Sequence, residues 1–337
     1  MDLGLPAVAD LDSLLGLSGG HVAEQVEKRL IAPARALLNR HSKQMRGRLV
    51  ELGFELAGGK ATDMAAVERA AAAMELLHAG SLIVDDIQDG SRQRRGGQSL
   101  HLLYGVPTAL CTGNWLYFWP MRLLGDLPLS VDKSYRVLRA YHEAVEQAHY
   151  GQALDLTVKV DTLPRQEVPA LCDAVIGWKT GTITSLAMRI GALLAGADAT
   201  VEKALADFGM SFGKTLQYFD DLGNVMGRLD PGKRFEDLRL RKPTAVWAMA
   251  AARSTDEDYS VFRVAALRVD DDPAPLLAWF NERGFVADAT VRLNTEMNAA
   301  INKLGEALAA LTPSEQKTTQ SALERLRELT EELIDAY

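Results

Sequence analysis

The stretch 62–89, TDMAAVERAAAAMELLHAGSLIVDDIQD, holds the helical period without a break. Thr62 is placed as its N-cap, and a helix of that length would span roughly 42 Å. Asp85 and Asp89 are four residues apart near its end, so both carboxylates lie on one face. Residues 74–84, just before them, are almost all apolar or small. The two acids therefore sit at the end of a stripe that a core must bury. An acidic pair alone is usually a solvated face. Carboxylates in this position need a partner, and hard divalent cations are the natural one.

A second acidic face follows far along the chain, in 217–224, QYFDDLGN. Asp220 and Asn224 are one turn apart, and Gln217 stands one turn before Asp221. This run too ends a mostly apolar stretch, 204–219, inside a helix predicted over 200–226. Facing each other across a bundle, the two faces would make an oxygen-rich cage for Mg²⁺ and a diphosphate. Basic residues follow each motif: Arg92, Arg94 and Arg95 in a Gly-rich turn, then Lys233, Arg239, Arg241 and Lys242. Lys179 lies on a helix otherwise carrying Ile176, Ile183, Leu186 and Ile190. Any one of these alone reads as an exposed charge. Their repeated position after an acidic motif favours anion binding.

Elsewhere the segments are rich in Ala, Leu, Glu, Met and Arg, with few alternating runs and with Gly and Pro breakers between them. The fold class is therefore all-α, read as one helical domain over 1–337. Thr312-Pro313-Ser314-Glu315 reads as a capped helix start, with Leu323, Leu326, Leu329 and Leu333 on one face beyond it. The polar segment 254–275 reads as a solvated connection, and Asp270-Asp271-Asp272 within it as a turn. Of 337 residues 47% are hydrophobic and 24% charged, an ordinary globular balance. The net charge of −8 disfavours a nucleic-acid surface. Two cysteines, Cys111 and Cys172, make no disulfide framework, so a reducing, cytoplasmic setting is expected. No apolar run reaches the roughly 18 residues of a spanning helix, and the N-terminus lacks a leader pattern.

The motifs resemble those of the trans-isoprenyl diphosphate synthases, the polyprenyl synthetase family, over roughly 43–244. His78 to Asp89 is similar to the family's first Asp-rich motif, with Arg94-Arg95-Gly96 and His101 after it. Gly151-Gln152-Ala153-Leu154-Asp155-Leu156 and Lys179-Thr180-Gly181 are family-like. Gln217 to Asp221 resembles the second Asp-rich motif, Lys233 and Lys242-Pro243-Thr244 the lysines after it, and Lys43 and Arg46 the upstream basic motif. The resemblance implies long antiparallel helices around a central cavity, normally in a homodimer. It implies that Asp85, Asp86, Asp89 and Asp220 carry three Mg²⁺ ions on an allylic diphosphate, with Asp221 and Asn224 in support. Arg94, Lys179 and Lys233 would bind the same diphosphate. Lys43, Arg46, His78 and Arg95 would hold isopentenyl diphosphate, with Lys242 nearby. Thr180 and Gln217 would line the carbocation's position, so the implied catalytic set is Asp85, Asp89, Lys179, Thr180, Gln217 and Asp220. His78 lies two turns before Asp85, roughly 10 Å away on the same face, which suits a second substrate beside the cage.

The sequence departs from the family pattern in places. Gln44 stands where Arg is common, Gly47 where Pro is common, and Asn224 where the last Asp is usual. The C-terminus, Asp335-Ala336-Tyr337, lacks the basic residues of some relatives. In the family, aromatics four or five positions before the first Asp make a floor that limits product length. Here those positions are Ser81 and Gly80, so the floor is open at that level and Gly80→Phe is expected to shorten the product. Trp115, Tyr117, Phe118 and Trp119 either close the tunnel deeper down or belong to the core. The expected product has about twenty carbons or more. Two other readings stand beside this one: a class I terpene cyclase sharing the metal cage, and a non-catalytic subunit of a prenyltransferase.

Overall fold

A computed structural model describes residues 3–16, 20–227, 234–309 and 313–335. The chain begins with α1 (Val8–Leu15), α2 (His21–Val26) and, after a π-helical turn at Glu27–Ile31, α3 (Ala32–Leu38). The central helices are α4 (Met45–Leu56), α5 (Met64–Gln88), the short α6 (Leu100–Tyr104), α7 (Val106–Gly125) and α8 (Val131–Thr157). Then come α9 (Val168–Ile176), a second π-helical turn at Gly177–Gly181, α10 (Thr182–Ala195) and α11 (Ala199–Met226). The last part holds α12 (Glu236–Arg239), α13 (Ala245–Arg253), α14 (Asp256–Leu267), α15 (Ala274–Glu282), α16 (Phe285–Leu308) and α17 (Pro313–Asp335). Among the described residues the sole sheet is a two-residue ladder, β1 (Gln93–Arg94) against β2 (Gly97–Gln98). The fold is all-α, as the periodicity predicts. No helix among the described residues is long and apolar enough to cross a membrane.

Glycines let the inner helices touch backbone to backbone. A Cβ on Gly191 of α10 would lie 2.3 Å from the Val50 carbonyl oxygen of α4. One on Gly80 of α5 would lie 2.8 Å from Leu116 Cβ and 2.9 Å from the Gly113 carbonyl oxygen of α7. Glycine inside a helix costs about 0.5–1 kcal/mol against alanine, which close packing offsets here. Gly80 is thus spent on the α5–α7 contact and does not open the cavity floor.

Two large cores form. The first gathers Leu49, Leu76, Leu116, Ile190 and Phe212 with Leu326 and Leu329 of α17. The second is aromatic: Trp247, Tyr259, Phe262, Trp279, Phe280 and Phe285. Helix α11 joins both, with Leu205 and Phe212 in the first and Phe219 and Leu222 in the second. The second acidic motif lies on its latter part.

Several local expectations change. The helix expected from Thr62 starts at Met64, because a 3₁₀ turn at Ala61–Asp63 takes up its first residues. The predicted connection 254–275 contains helix α14. Thr255 caps it by accepting from the Asp258 N–H at 3.2 Å, Asp256, Glu257 and Asp258 suit the positive helix end, and Tyr259, Phe262 and Ala266 bury its inner face. Acidic first-turn residues therefore marked a helix start. Asp270 to Asp272 lie in the turn after it, where Asp270 pairs with Arg239 at 2.7 Å and Asp272 accepts from the Ala274 N–H. The capping pair Thr312–Glu315 and Lys233 fall outside the described residues and side chains.

Candidate active site

A cavity of about 660 Å³ opens between α4, α5, α8, the Gly177–Gly181 turn and α11. The acidic face of α5 reaches it through Asp85 and Asp89. Both carboxylates are already paired. Lys179 Nζ lies 3.2 Å from Asp85 and 2.7 Å from Asp155 of α8. Lys242 Nζ lies 3.0 Å from Asp89 and 3.9 Å from Asp155. Gln152 donates to Asp85 Oδ1 and to Gln88 Oε1, each at 2.8 Å. Burial pushes the Asp85 carboxyl up, but Lys179 and the Gln152 hydrogen bond outweigh it and hold it below its usual range. Burial opposes the charge on Lys179 too, yet Asp155 and Asp85 leave the ammonium held above its ordinary range.

Lys179 is aimed by its backbone. It sits with Thr180 in a π-helical turn, an irregularity often found at functional sites. Gly151 of α8 presses on that turn so closely that a Cβ there would lie 2.6 Å from the Lys179 nitrogen. The Thr180 hydroxyl donates to Gln217 Oε1 at 3.0 Å. Gln217 Nε2 donates in turn to Asp221 Oδ1 at 2.9 Å, and Asp221 Oδ2 accepts the Ala245 N–H of α13 at 2.8 Å. These bonds fix the amide of Gln217 beside Thr180 at the wall.

Three expected ligands are placed differently from the rest. Asp86 faces away from the cavity and pairs with Arg94, whose Nε and Nη2 lie 2.9 and 2.6 Å from Oδ1. It follows Asp85 directly, so it points about 100° round the helix. Asp221 has both oxygens engaged by Gln217 and Ala245 and is buried. Burial, then the nearby Asp237, pushes its carboxyl well up. Asn224 does not line the cavity; its backbone carbonyl oxygen accepts from the Phe235 N–H at 3.3 Å. Asp85, Asp89, Asp220 and Asp221 do line it.

The basic set converges on the same cavity. Lys43 and Arg46 stand at the start of α4, His78 on α5 and Arg95 on the hairpin turn, and all four line it with Arg94. Arg95 and Gly96 both have positive φ, 51° and 73°, as a tight two-residue hairpin requires. Burial holds the His78 imidazole well below its ordinary value, and Arg46, Arg95 and Arg94 add to the effect, so it is neutral.

Sequence reasoning assigned no role to Glu75, Gln152, Asp155 or Asp237, all part of this wall. Gln152 and Asp155 are three apart on α8, a polar pair that helical spacing could have exposed. Asp237 carries no such signal. Burial raises its carboxyl to about 6, with Lys242 opposing.

Among the described residues no three Asp, Glu, His or Cys side chains already cluster as a metal site. The donors at this wall are nonetheless carboxylate oxygens with ammonium partners, hard ligands that suit Mg²⁺ once the lysines move to an anion.

Residues 27–274 match the family model described as polyprenyl synthetase. The chain belongs to that family. It is 32% identical over 237 residues to a geranylfarnesyl diphosphate synthase of Aeropyrum pernix, covering 67% of this chain and 71% of that one. It is 30% identical over 225 residues to a geranylgeranyl pyrophosphate synthase of Geoglobus acetivorans, covering 66% and 68%. The fold matches that of geranylgeranyl pyrophosphate synthetase from Pyrococcus horikoshii with a TM-score of 0.73 at 24% identity, over 96% of this chain and 97% of that one. A geranylgeranyl pyrophosphate synthase from Corynebacterium glutamicum, crystallised with isoprenyl diphosphate and magnesium, also gives 0.73, at 23% identity over 94% of each. These structural likenesses concern the fold.

Proposed function

We infer that this chain is a prenyltransferase that joins isopentenyl diphosphate to an allylic diphosphate, making a longer trans-polyprenyl diphosphate. One observation carries the reading: a single cavity holds an acid-and-lysine face and a separate basic set, Lys43, Arg46, His78 and Arg95. A cyclase acting on one diphosphate has no use for the second set.

Lys179 and Lys242 bind the allylic diphosphate and stabilise the charge that grows on it as the C–O bond ionises. Asp85, Asp89 and Asp220 would hold Mg²⁺, three ions in our reading, which neutralises the leaving group when bound. Thr180 and Gln217 present oxygens beside the allylic cation. Lys43, Arg46 and Arg95 hold isopentenyl diphosphate so that its double bond meets that cation. Neutral His78 donates a hydrogen bond without adding charge. The apolar wall of Leu77, Leu82 and Ile183 keeps water from the cation. The departing diphosphate takes the final proton, so no protein nucleophile is needed.

The test is direct. The protein is incubated with Mg²⁺, isopentenyl diphosphate and dimethylallyl, geranyl or farnesyl diphosphate, and the products are weighed by mass spectrometry. A longer diphosphate supports the reading. A hydrocarbon or alcohol made from the starter alone would identify a cyclase, and absence of turnover until a second chain is added would identify a subunit.

Similar proteins are named for farnesyl, geranylgeranyl and geranylfarnesyl products, so we place this product between fifteen and twenty-five carbons. Of the four aromatics on α7, only Tyr117 lines the cavity. Trp115 and Trp119 stack on each other at 5.2 Å, Trp119 Nε1 donates to the Gly4 carbonyl, and Phe118 is 69% exposed. Tyr117 packs on His149 of α8 with ring centroids 5.2 Å apart, forming the floor we assign. Tyr117→Ala is expected to shift products at least one isoprene unit longer; the same mass analysis checks it, and an unchanged spectrum would move the floor elsewhere.

The chain pairs with a second copy in our reading. Leu102, Leu103, Val106, Leu110 and Phe118 are exposed along α6 and α7, the kind of apolar surface an interface covers. Light scattering that gives the mass of one chain would refute this. The free thiols of Cys111 and Cys172 agree with a reducing compartment, which we take as the cytoplasm.

A further inference from the structure

Two helices begin at the cavity wall, α4 and α13, and neither has its first turn capped by its own N-cap side chain. The Asp221 carboxylate caps α13 from another helix, through the Ala245 N–H. Glu75 does the same for α4: its Oε1 accepts the Gly47 N–H at 2.9 Å, a bond buried between the two helices. Gly47 is the third residue of α4, and its N–H is one that a helix leaves without a partner. Gln44, at the N-cap position, has left-handed backbone angles, φ 46° and ψ 42°, and makes no capping bond. Glu75 is only 4% exposed on a helix otherwise built from Ala, Leu and Met at that level. A carboxylate is costly to bury, and packing alone would be served by an apolar side chain. What this one touches is the turn that carries Lys43 and Arg46, and its charge also faces Arg95.

We propose that Glu75 is a positioning residue of the isopentenyl diphosphate pocket. Through the Gly47 N–H it fixes the first turn of α4, so that Lys43 and Arg46 face the incoming diphosphate. It lies at the wall, but the bond it makes is to the α4 backbone, and it acts through that turn. The proposal rests on the functional reading above, in which those two residues serve the second substrate.

Three replacements separate the cap from the charge. Glu75→Gln keeps an acceptor oxygen at the right length and removes the charge. Glu75→Asp keeps the charge but is one methylene too short. Glu75→Met keeps the length and removes both. Losing a helix cap of ordinary strength corresponds to about a fivefold change or more when it falls on one binding step. The Michaelis constant for isopentenyl diphosphate is therefore expected to rise about fivefold or more in the Asp and Met variants. It should stay within about twofold in the Gln variant, with kcat and the allylic Michaelis constant within about twofold in all three. Should the Met variant fail to fold, the Asp and Gln pair decides. A Gln variant as impaired as Asp, equal loss for both substrates, or no change in any variant would overturn the proposal. A wild-type chain that makes no longer diphosphate would overturn it together with the function; wild-type turnover with any of the preceding results overturns the proposal alone.

Discussion

Asp85→Ala is expected to lower turnover by about a thousandfold or more while the melting temperature stays within about 5 °C of wild type. Asp85 lines the cavity with Lys179 and Gln152 on its carboxylate. On the proposed function, removing it deletes a hard oxygen ligand where charge on the leaving group must be neutralised. The surroundings tolerate the loss. Lys179 keeps Asp155 at 2.7 Å, and Gln152 keeps Gln88 at 2.8 Å, so no charge or amide is left stranded in the wall. Single-turnover kinetics and a thermal melt on the same preparation check both halves. Near-normal turnover would take Asp85 out of the reacting centre.

The second large effect separates two adjacent residues. Gly80→Phe is expected to destabilise the protein by more than about 3 kcal/mol, because its Cβ would already strike Leu116 and the Gly113 backbone. Neither helix can yield there without parting the α5–α7 contact. Ser81→Phe should instead leave stability nearly unchanged and shorten the product. Ser81 lines the cavity one turn below Asp85, with its hydroxyl satisfied by the His78 carbonyl oxygen at 2.8 Å. A phenyl ring there fills the volume that a growing chain needs. Thermal melts and product masses of the pair decide it. A well-folded Gly80→Phe protein with shortened products would return the floor to Gly80.

The all-α class and the two acid-bearing helices were legible because periodicity and burial act on the same residues. The stripe ending at Asp85 and the stripe ending at Asp220 each had to face something, and one cavity is what they face. What was not legible depends on rotation about a helix and on partners distant in sequence. Gly80 and Ser81 differ by about 100° around α5, enough to send one to a helix contact and the other to the cavity. Asp86 looked equivalent to Asp85 as text, yet it does not line the cavity and is held by Arg94, which does. Asp221 lines the cavity beside Asp220, and its two hydrogen bonds, from Gln217 and from the Ala245 N–H, depend on partners that spacing alone does not show. Glu75 sat inside an apolar run with no motif around it, and its partner is a backbone N–H on another helix. The acidic cluster at 256–258 read as loop because negative charge suits both solvent and a helix start; the apolar spacing of Tyr259, Phe262 and Ala266 was the deciding signal.

The ammonium groups of Lys179 and Lys242 stand against three carboxylates in the wall. The scaffold thus offsets two of those three charges itself and leaves one for a bound cation to meet. On the proposed function, a chelating medium is expected to silence the chemistry while the two apolar cores hold the bundle, and a thermal melt with and without chelator checks it.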